Sequence, residues 1–149
     1  MSDGLDVIIV DDEPAVCDVI SEIIKSFYVW GDVFVFTDAD EAISHCLSRD
    51  TGVAIFVLDV YMGGKNAFSF LDEVEEKYPA VHEDTVIITG NASNDVVNMC
   101  IASDVHYLLE KPVRPYALQL ALRAIVTRYL KFAKRLLQDP SFAESVGRF

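Results

Sequence analysis

The sequence predicts an α/β protein in which five strands and five helices alternate, forming a (βα)5 doubly wound parallel five-stranded sheet of order 2-1-3-4-5. Two observations support this fold. Five short apolar runs, rich in Val and Ile, mostly lack alternation with polar residues, as strands buried on both faces do. A helical pattern follows each run, and five such units are too few for a β/α barrel. The runs are Leu5–Val10, Val33–Phe36, Val53–Leu58, Thr85–Thr89 and Val105–Leu109.

Each predicted helix has a recognisable start or an apolar stripe. Pro14 opens the first helix, because the missing N–H of proline costs nothing in the first turn. Asp38 and Glu41 form a pair similar to a capping box before the second helix, and Ser93 is a candidate cap for the fourth. The apolar stripe of the third helix contains Ala67, Phe70, Leu71 and Val74. The fifth helix opens at Pro115 and is the longest.

The fifth helix continues its apolar stripe beyond the body of the domain, which predicts an extended C-terminal helix. The stripe has heptad spacing and consists of Leu118, Leu122, Ile125, Tyr129, Phe132 and Leu136. We therefore divide the chain into a domain of residues 1–128 and a helical extension or linker of residues 129–149. Three interpretations stay open: a helix folded back on its own domain, a homodimer seam, or a linker to an output domain. The exposed stripe favours the last two, and Pro140 is expected to end the helix.

Composition and charge restrict the function classes. A chain of 149 residues with 52% apolar residues can build one domain with a real core. No apolar run approaches the ~20 residues of a membrane helix, and the acidic N-terminus is unlike a signal peptide, so we expect a cytoplasmic protein without a membrane segment. Residues 1–110 carry a net charge of −18 and residues 111–149 carry +6. The acidic body disfavours direct binding of nucleic acid.

Polar residues follow four of the five predicted strands. They are Asp11 and Asp12 after the first, Asp59 at the end of the third, Thr89 at the end of the fourth and Lys111 after the fifth. Ligands of doubly wound sheets bind beyond the carboxyl ends of the strands, so these groups are expected to meet. Clustered carboxylates need a cation, and carboxylates with water suit Mg²⁺. With a lysine and a hydroxyl beside them, they form a site that can receive a phosphoryl group.

These residues also carry a resemblance to a known family. The run VDDEP with Asp11 and Asp12, the run LDVYM with Asp59, the pair Thr89-Gly and the pair Lys111-Pro are similar to the motifs of the bacterial response regulator receiver domain. Each residue alone has an ordinary structural explanation as a turn former, a strand former or a solvated side chain. The ordered set at successive strand ends outweighs those explanations. The resemblance covers residues 4–128 and implies a flavodoxin-like fold.

The resemblance implies a role for each residue. Asp59 is the implied phosphoacceptor, and a sensor histidine kinase or a phosphotransfer protein is the implied partner. The implied ligands of Mg²⁺ or Mn²⁺ are Asp11, Asp12, Asp59 and the backbone carbonyl of Tyr61. Thr89 and Lys111 are implied to contact the phosphoryl oxygens. The chain is then a signalling switch rather than an enzyme with a separate substrate, although it assists its own phosphorylation and dephosphorylation.

The sequence departs from the family pattern beside Asp59. The following loop reads MGGKNA and lacks the proline that family members often carry there, which increases its backbone freedom. The side chains two residues after Asp59 and two after Thr89 often tune hydrolysis in this family. They are Tyr61 and Asn91 here, and we expect the bulky Tyr61 to hinder the attacking water.

A second departure concerns the switch aromatic. Family members usually carry it three residues before the lysine, where this chain has Leu108. Tyr107 lies one residue earlier, and a shift of one residue places a strand side chain on the opposite face. The candidate switch and tuning residues are therefore Thr89, Tyr107, Leu108, Tyr61 and Asn91.

Three alternative functions share part of this pattern. A pseudo-receiver scaffold would bind partners without phosphorylation, and the unusual loop after Asp59 is compatible with it. A haloacid-dehalogenase-like phosphatase needs a second Asp two residues after the nucleophile, where this chain has Tyr61. A flavodoxin-like flavin carrier needs a Ser/Thr/Gly-rich loop after the first strand, and that loop is acidic here.

Overall fold

The computed structural model describes residues 4–147 and contains the predicted alternation of strands and helices. The main sheet consists of β1 (Val7–Val10), β2 (Val33–Phe36), β3 (Ile55–Asp59), β4 (Thr85–Thr89) and β5 (Tyr107–Glu110). The helices are α1 (Pro14–Lys25), α2 (Ala39–Ser48), α3 (Ala67–Val74), α4 (Asn94–Ala102), α5 (Pro115–Gln138) and α6 (Pro140–Val146). The predicted limits at residues 1 and 149, and part of the acidic N-terminus, lie outside the described residues.

The sheet is parallel throughout, and its strand order is β2-β1-β3-β4-β5. This confirms the predicted order 2-1-3-4-5. Strand β1 lies between β2 and β3, so Val10 is level with both Phe36 and Leu58. The strand order therefore reverses between β1 and β3, where the first and third strand ends are neighbours.

Alternate residues of the strands face two separate cores, one on each side of the sheet. Ile8, Phe56 and Ile87 pack with α2, α3 and α4, whereas Ile9 and Val57 pack with α1 and α5. Strands β1, β3 and β4 are buried on both faces, which explains why their sequences lack alternation. The edge strands β2 and β5 are only partly buried.

Three apolar runs begin two residues before their strands do, at Leu5, Val53 and Val105. Val105 is buried, but its N–H donates to the carbonyl of Cys100 at 2.9 Å and so closes the end of α4 instead of joining β5. The N–H of Leu5 donates to the carbonyl of Trp30, before β2, at 3.0 Å. Apolar content alone predicted these positions as strand, since it does not report the partner of the backbone.

The predicted helix starts are present. Asp38 accepts hydrogen bonds from the N–H groups of Asp40 and Glu41 at 2.8 and 3.4 Å, and Ser93 accepts one from Val96 at 3.4 Å. Pro14 and Pro115 occupy the first turns of α1 and α5. Each cap satisfies N–H groups that have no partner inside the helix.

Helix α5 is continuous from Pro115 to Gln138 and anchored at the amino edge of the sheet. Buried Asp84, at the start of β4, receives hydrogen bonds from the guanidinium of Arg128 and the hydroxyl of Tyr129. The proposed boundary between residues 128 and 129 therefore falls inside one helix. Within residues 4–147, no helix combines the length and apolar character that a bilayer crossing requires.

The chain turns back after α5 and partly covers its distal stripe. Asp139 caps α6 by accepting from the N–H of Phe142 at 3.0 Å, in accordance with the predicted break before Pro140. The ring of Phe142 lies 5.7 Å from that of Phe132 and 3.8 Å from the guanidinium carbon of Arg135. Phe132 of the stripe is still 45% exposed, and Leu130 and Leu137 beside the stripe are exposed as well, so α6 covers the distal stripe only in part.

Replacing Arg128 tests how strongly α5 is anchored. Arg128→Ala leaves the buried carboxylate of Asp84 without its charged partner, and we expect the free energy of unfolding to fall by about 1–3 kcal/mol. Urea denaturation of the two proteins measures this difference. Lys131→Ala removes an exposed basic residue of the same helix and is expected to change stability by less than about 0.5 kcal/mol. Equal losses for the two variants would contradict the anchoring role.

Candidate functional site

Backbone hydrogen bonds extend the sheet past the strand ends and place the site residues. The N–H of Asp11 donates to Phe36 at 3.2 Å, and the N–H of Lys111 donates to Thr89 at 2.8 Å. Next to Asp59, the N–H of Val60 donates to Ile88 at 3.2 Å. The residues predicted after β1, β3, β4 and β5 are therefore held at one edge of the sheet.

Three carboxylates gather at this edge. Asp11, Asp12 and Asp59 each offer one oxygen, and these oxygens all lie within 4.8 Å of one another. Asp11 is 1% exposed, Asp59 is partly buried and Asp12 is exposed to solvent. The cluster therefore opens from a buried carboxylate outward to an accessible one.

Lys111 is the cation that reaches this cluster. Its Nζ lies 2.9 Å from Oδ2 of Asp11 and 3.6 Å from Oδ1 of Asp59. The other oxygen of Asp11 accepts from the N–H of Glu13 at 2.9 Å. The charge of Lys111 therefore holds Oδ2 of Asp11, and no other residue that the structure describes donates a hydrogen bond to this oxygen.

The charges shift the pKa values of the central groups. Burial, followed by the negative charges of Asp11 and Asp12, raises the pKa of Asp59 from 3.8 to about 6, although Lys111 opposes the shift. Burial alone lowers the pKa of Lys111, but contact with Asp11 and the charge of Asp59 outweigh it, so the pKa is raised. One ammonium group does not balance three carboxylates at this edge.

The donor set fits a hard divalent cation. All the clustered ligands are carboxylate oxygens, which Mg²⁺ and Mn²⁺ prefer, and the ammonium group of Lys111 offsets only part of their charge. A divalent cation would relieve the repulsion that raises the pKa of Asp59. Asp11, Asp12 and Asp59 are the side chains that would hold it.

Thr89 is buried, and its hydroxyl is engaged within its own turn. Oγ1 donates to the carbonyl of Asn91 at 3.1 Å and accepts from the N–H of Asn91 at 3.2 Å. Both residues line the cleft that contains Asp59. In this arrangement the Asn91 backbone holds the Thr89 hydroxyl, a contact that the strand-end pattern does not predict.

The loop after Asp59 is a short hairpin. Tyr61 pairs with Asn66 and Met62 pairs with Lys65, and Gly63 in the turn has φ +70, which favours glycine. The Tyr61 side chain is 68% exposed and lies at the cleft wall. Tyr61 follows Asp59 by two residues, so its backbone carbonyl remains a predicted metal ligand.

Tyr107 and Leu108 lie on opposite faces of β5, as their spacing predicts. Tyr107 packs against the core of α1 and α5, whereas Leu108 packs against the core of α2, α3 and α4. Thr89 adjoins the turn that leads into α4. On β5, the residue that faces the core containing α4 is therefore the aliphatic Leu108, and Tyr107 faces the core of α1 and α5.

Asp12, Asp59, Thr89 and Lys111 line one open cleft of about 510 Å³, whereas Asp11 is buried and does not line it. The cleft is bounded by Asp12, Glu13, Asp59, Tyr61, Thr89, Gly90, Asn91, Ser93, Val96 and Lys111. Glu13 and Ser93 were not predicted as site residues, although the continuous acidic run after β1 was a signal for Glu13. Ser93 had been predicted only as a helix cap, and the sequence contains no separate signal for its place in the cleft.

Comparisons with known proteins agree with this geometry. Residues 7–123 match the family described as the response regulator receiver domain. The fold is similar to the beryllofluoride-activated NtrC4 receiver domain dimer, with 24% identity, a TM-score of 0.71, and coverage of 83% of this chain and 98% of that one. A response regulator receiver domain protein from Clostridium thermocellum shares 17% identity, with a TM-score of 0.74 and coverage of 86% and 98%.

A third solved structure is a CheY-like response regulator receiver domain protein from Methanospirillum hungatei JF-1. It shares 18% identity, with a TM-score of 0.72 and coverage of 85% of this chain and 97% of that one. At these identities the structural comparisons establish the shared fold alone. No curated protein matches the chain significantly.

The raised pKa of Asp59 predicts a pH dependence of stability in the metal-free protein. The folded state binds the Asp59 proton more tightly than the unfolded chain, so stability falls as pH rises from about 4 to about 6. We expect Asp59→Asn to abolish this loss of about 1–3 kcal/mol. In EDTA at pH 7, the variant should therefore be more stable than the wild type.

Urea denaturation between pH 4 and pH 8 in EDTA provides the measurement. Asp50→Asn, which changes an exposed carboxylate away from the cleft, serves as the control and should follow the wild-type profile. If Asp59→Asn also follows that profile, the pKa of Asp59 is not raised.

Proposed function

This chain belongs to the response regulator receiver domain family, and from this membership we propose that it is a switch that accepts a phosphoryl group on Asp59 with Mg²⁺ or Mn²⁺ bound. One observation carries the proposal: Asp59 lies within a cluster of three carboxylates, 3.6 Å from the ammonium group of Lys111. The family is a signalling family, so Asp59 is a substrate for phosphorylation within the protein itself.

The chemistry follows from the charges around Asp59. An ionised Asp59 oxygen attacks the phosphorus atom, an O–P bond forms, and the N–P bond of a phosphohistidine breaks as the imidazole leaves with the electron pair. Lys111 is placed to offset charge on the phosphoryl oxygens. A cation held by Asp11, Asp12 and Asp59 would supply the remaining positive charge and favour the ionised form of Asp59.

Phosphorylation changes the charge at the cleft, and Thr89 is the residue proposed to respond. Its hydroxyl is bound to the Asn91 backbone in the present arrangement. A phosphoryl oxygen on Asp59 offers a charged acceptor, which forms a stronger hydrogen bond than a neutral carbonyl. Exchange of one acceptor for the other would move the turn that leads into α4, and so alter a surface.

The partners follow from the same proposal. The chain is proposed to act in the cytoplasm, where a sensor histidine kinase or phosphotransfer protein supplies the phosphoryl group. Direct binding of this chain to nucleic acid or to a membrane is not part of the proposal. The division at residues 128 and 129 is proposed as the limit of the receiver, with the distal part of α5 as an extension. Exposed Leu130 and Leu137 leave that part available for a homodimer or an output domain.

A phosphorylation assay tests the proposed acceptor. Incubation with acetyl phosphate and Mg²⁺ should add one phosphoryl group, visible as about 80 Da in intact mass, because Asp59 lies beside Lys111 and the acidic pair. Asp59→Asn should show no adduct. Asp12→Asn removes a metal ligand but keeps the acceptor, and should lower the yield at limiting Mg²⁺.

Two results of this assay would change the proposal. An adduct that persists in Asp59→Asn would place the acceptor elsewhere. Absence of an adduct on the wild type, without any Mg²⁺ dependence, would favour the pseudo-receiver alternative, in which the cleft binds a partner without phosphorylation.

Tyr61 supports a second test, on the lifetime of the phosphorylated state. Its exposed ring lies at the wall of the cleft beside Asp59 and is expected to obstruct the attacking water. Tyr61→Ala should accelerate dephosphorylation by more than about three-fold, which corresponds to a barrier lowered by at least about 0.7 kcal/mol. The decay of the intact-mass adduct after removal of acetyl phosphate gives this rate, with Tyr116→Ala, an exposed tyrosine outside the cleft wall, as the control. A rate close to that of the wild type would exclude the obstruction.

A further inference from the structure

The hairpin after Asp59 has few intrinsic restraints. Its two strands contain two residues each, and they are joined by Gly63 and Gly64. Open space surrounds both glycines, since a side chain at either position would meet no atom within 4 Å. A hairpin of this size is not stable by itself, so its position must be fixed by contacts with the rest of the domain.

Lys65 makes such contacts with two helices. Its Nζ lies 3.0 Å from a carboxylate oxygen of Asp40 in the first turn of α2 and 2.5 Å from one of Glu73 in α3. Lys65 is also the residue paired with Met62 across the hairpin. One side chain therefore ties the hairpin to elements on both sides of it.

The remaining anchors lie at the base of the hairpin. Ala67 donates its N–H to the carbonyl of Val60 at 2.8 Å, and the Met62 side chain is buried. These contacts fix where the loop leaves β3 and enters α3. The ion pairs of Lys65 hold the second strand of the hairpin, which consists of Lys65 and Asn66. Asn66 in turn pairs with Tyr61 in the first strand.

We propose that Lys65 is a positioning residue, which holds the hairpin between α2 and α3 and thereby places the Tyr61 backbone at the metal site. The inference rests on the proposed function, because the Tyr61 carbonyl is a ligand only if the cluster binds Mg²⁺. Lys65 does not touch the metal or the phosphoryl group in this role. It acts through the backbone of its hairpin.

Because Lys65 is positively charged, an electrostatic role and a positioning role predict opposite changes in Mg²⁺ affinity when the lysine is removed. Lys65 lines a second cleft, adjacent to the site, that Asp12 also borders, so its positive charge alone would repel a cation at the acidic cluster. Removing a purely electrostatic lysine would therefore strengthen Mg²⁺ binding. Removing a lysine that positions the hairpin weakens binding, and the two roles are distinguished by the sign of the change.

Two measurements on the full chain test the proposal. Calorimetric titration with Mg²⁺ should give a dissociation constant about five-fold higher in Lys65→Ala than in wild type, from the loss of two partly exposed ion pairs. Hydrogen exchange of the metal-free protein should show faster exchange of the amides between residues 61 and 67. Lys65→Arg, which keeps both ion pairs, should stay within about two-fold of the wild-type constant.

The controls distinguish a positioning role of Lys65 from an effect of its charge and from a change in the stability of the whole domain. Lys25→Ala removes the same charge from the exposed end of α1 and should leave both measurements unchanged. Glu73→Gln should weaken Mg²⁺ binding less than Lys65→Ala does. The double variant should bind Mg²⁺ about as weakly as Lys65→Ala, since both substitutions act on one ion pair. The urea midpoint of metal-free Lys65→Ala should match that of the wild type.

The outcomes distinguish this inference from the proposed function. Wild-type protein that binds Mg²⁺, together with Lys65→Ala that binds it equally or more tightly, overturns the role of Lys65 and leaves the phosphoacceptor intact. Unchanged hairpin exchange in Lys65→Ala overturns that role as well. Wild-type protein that neither binds Mg²⁺ nor accepts a phosphoryl group overturns the proposed function, and the role of Lys65 with it.

Discussion

Three carboxylates within 4.8 Å of one another, opposed by one lysine, are the constraint on which this molecule depends. They are brought together because the carboxyl ends of β1 and β3 are neighbours in the sheet, and Lys111 follows β5 at the same edge. Partial burial and the negative charges of the neighbouring carboxylates raise the pKa of Asp59 to about 6. The fold thus gathers unfavourable negative charge where a bound cation would relieve it.

The amino edge of the sheet contains buried acids whose charge is already balanced. Asp6 lies 2.9 Å from the guanidinium of Arg49, and Asp84 is contacted by Arg128 and Tyr129. Each of these acids has a guanidinium partner, so that edge stabilises the packing of the chain. The difference in charge balance between the edges explains why binding chemistry is concentrated at the carboxyl end.

Loops hold the walls of the cleft, whereas Asp59 and Thr89 lie at strand ends. The Thr89 hydroxyl is held by the turn at Asn91, and Tyr61 belongs to a hairpin restrained by Lys65. Loops of this kind rearrange at lower cost than a buried parallel sheet. A change of charge at Asp59 can therefore alter the cleft walls while the sheet stays intact.

The sequence by itself determined the alternation of strands and helices, because local periodicity sets the strands. With the strand order 2-1-3-4-5 of a doubly wound sheet, it also predicted that Asp11, Asp59, Thr89 and Lys111 gather at one edge, because parallel strands share an end. It also placed Tyr107 and Leu108 on opposite faces, since strand side chains alternate. Only the tertiary structure decided the partners of the Thr89 hydroxyl, the bridge from Lys65 to Asp40 and Glu73, and the return of α6 over Phe132. Those contacts depend on which side chains lie close together in space, and no pattern along the chain encodes that proximity.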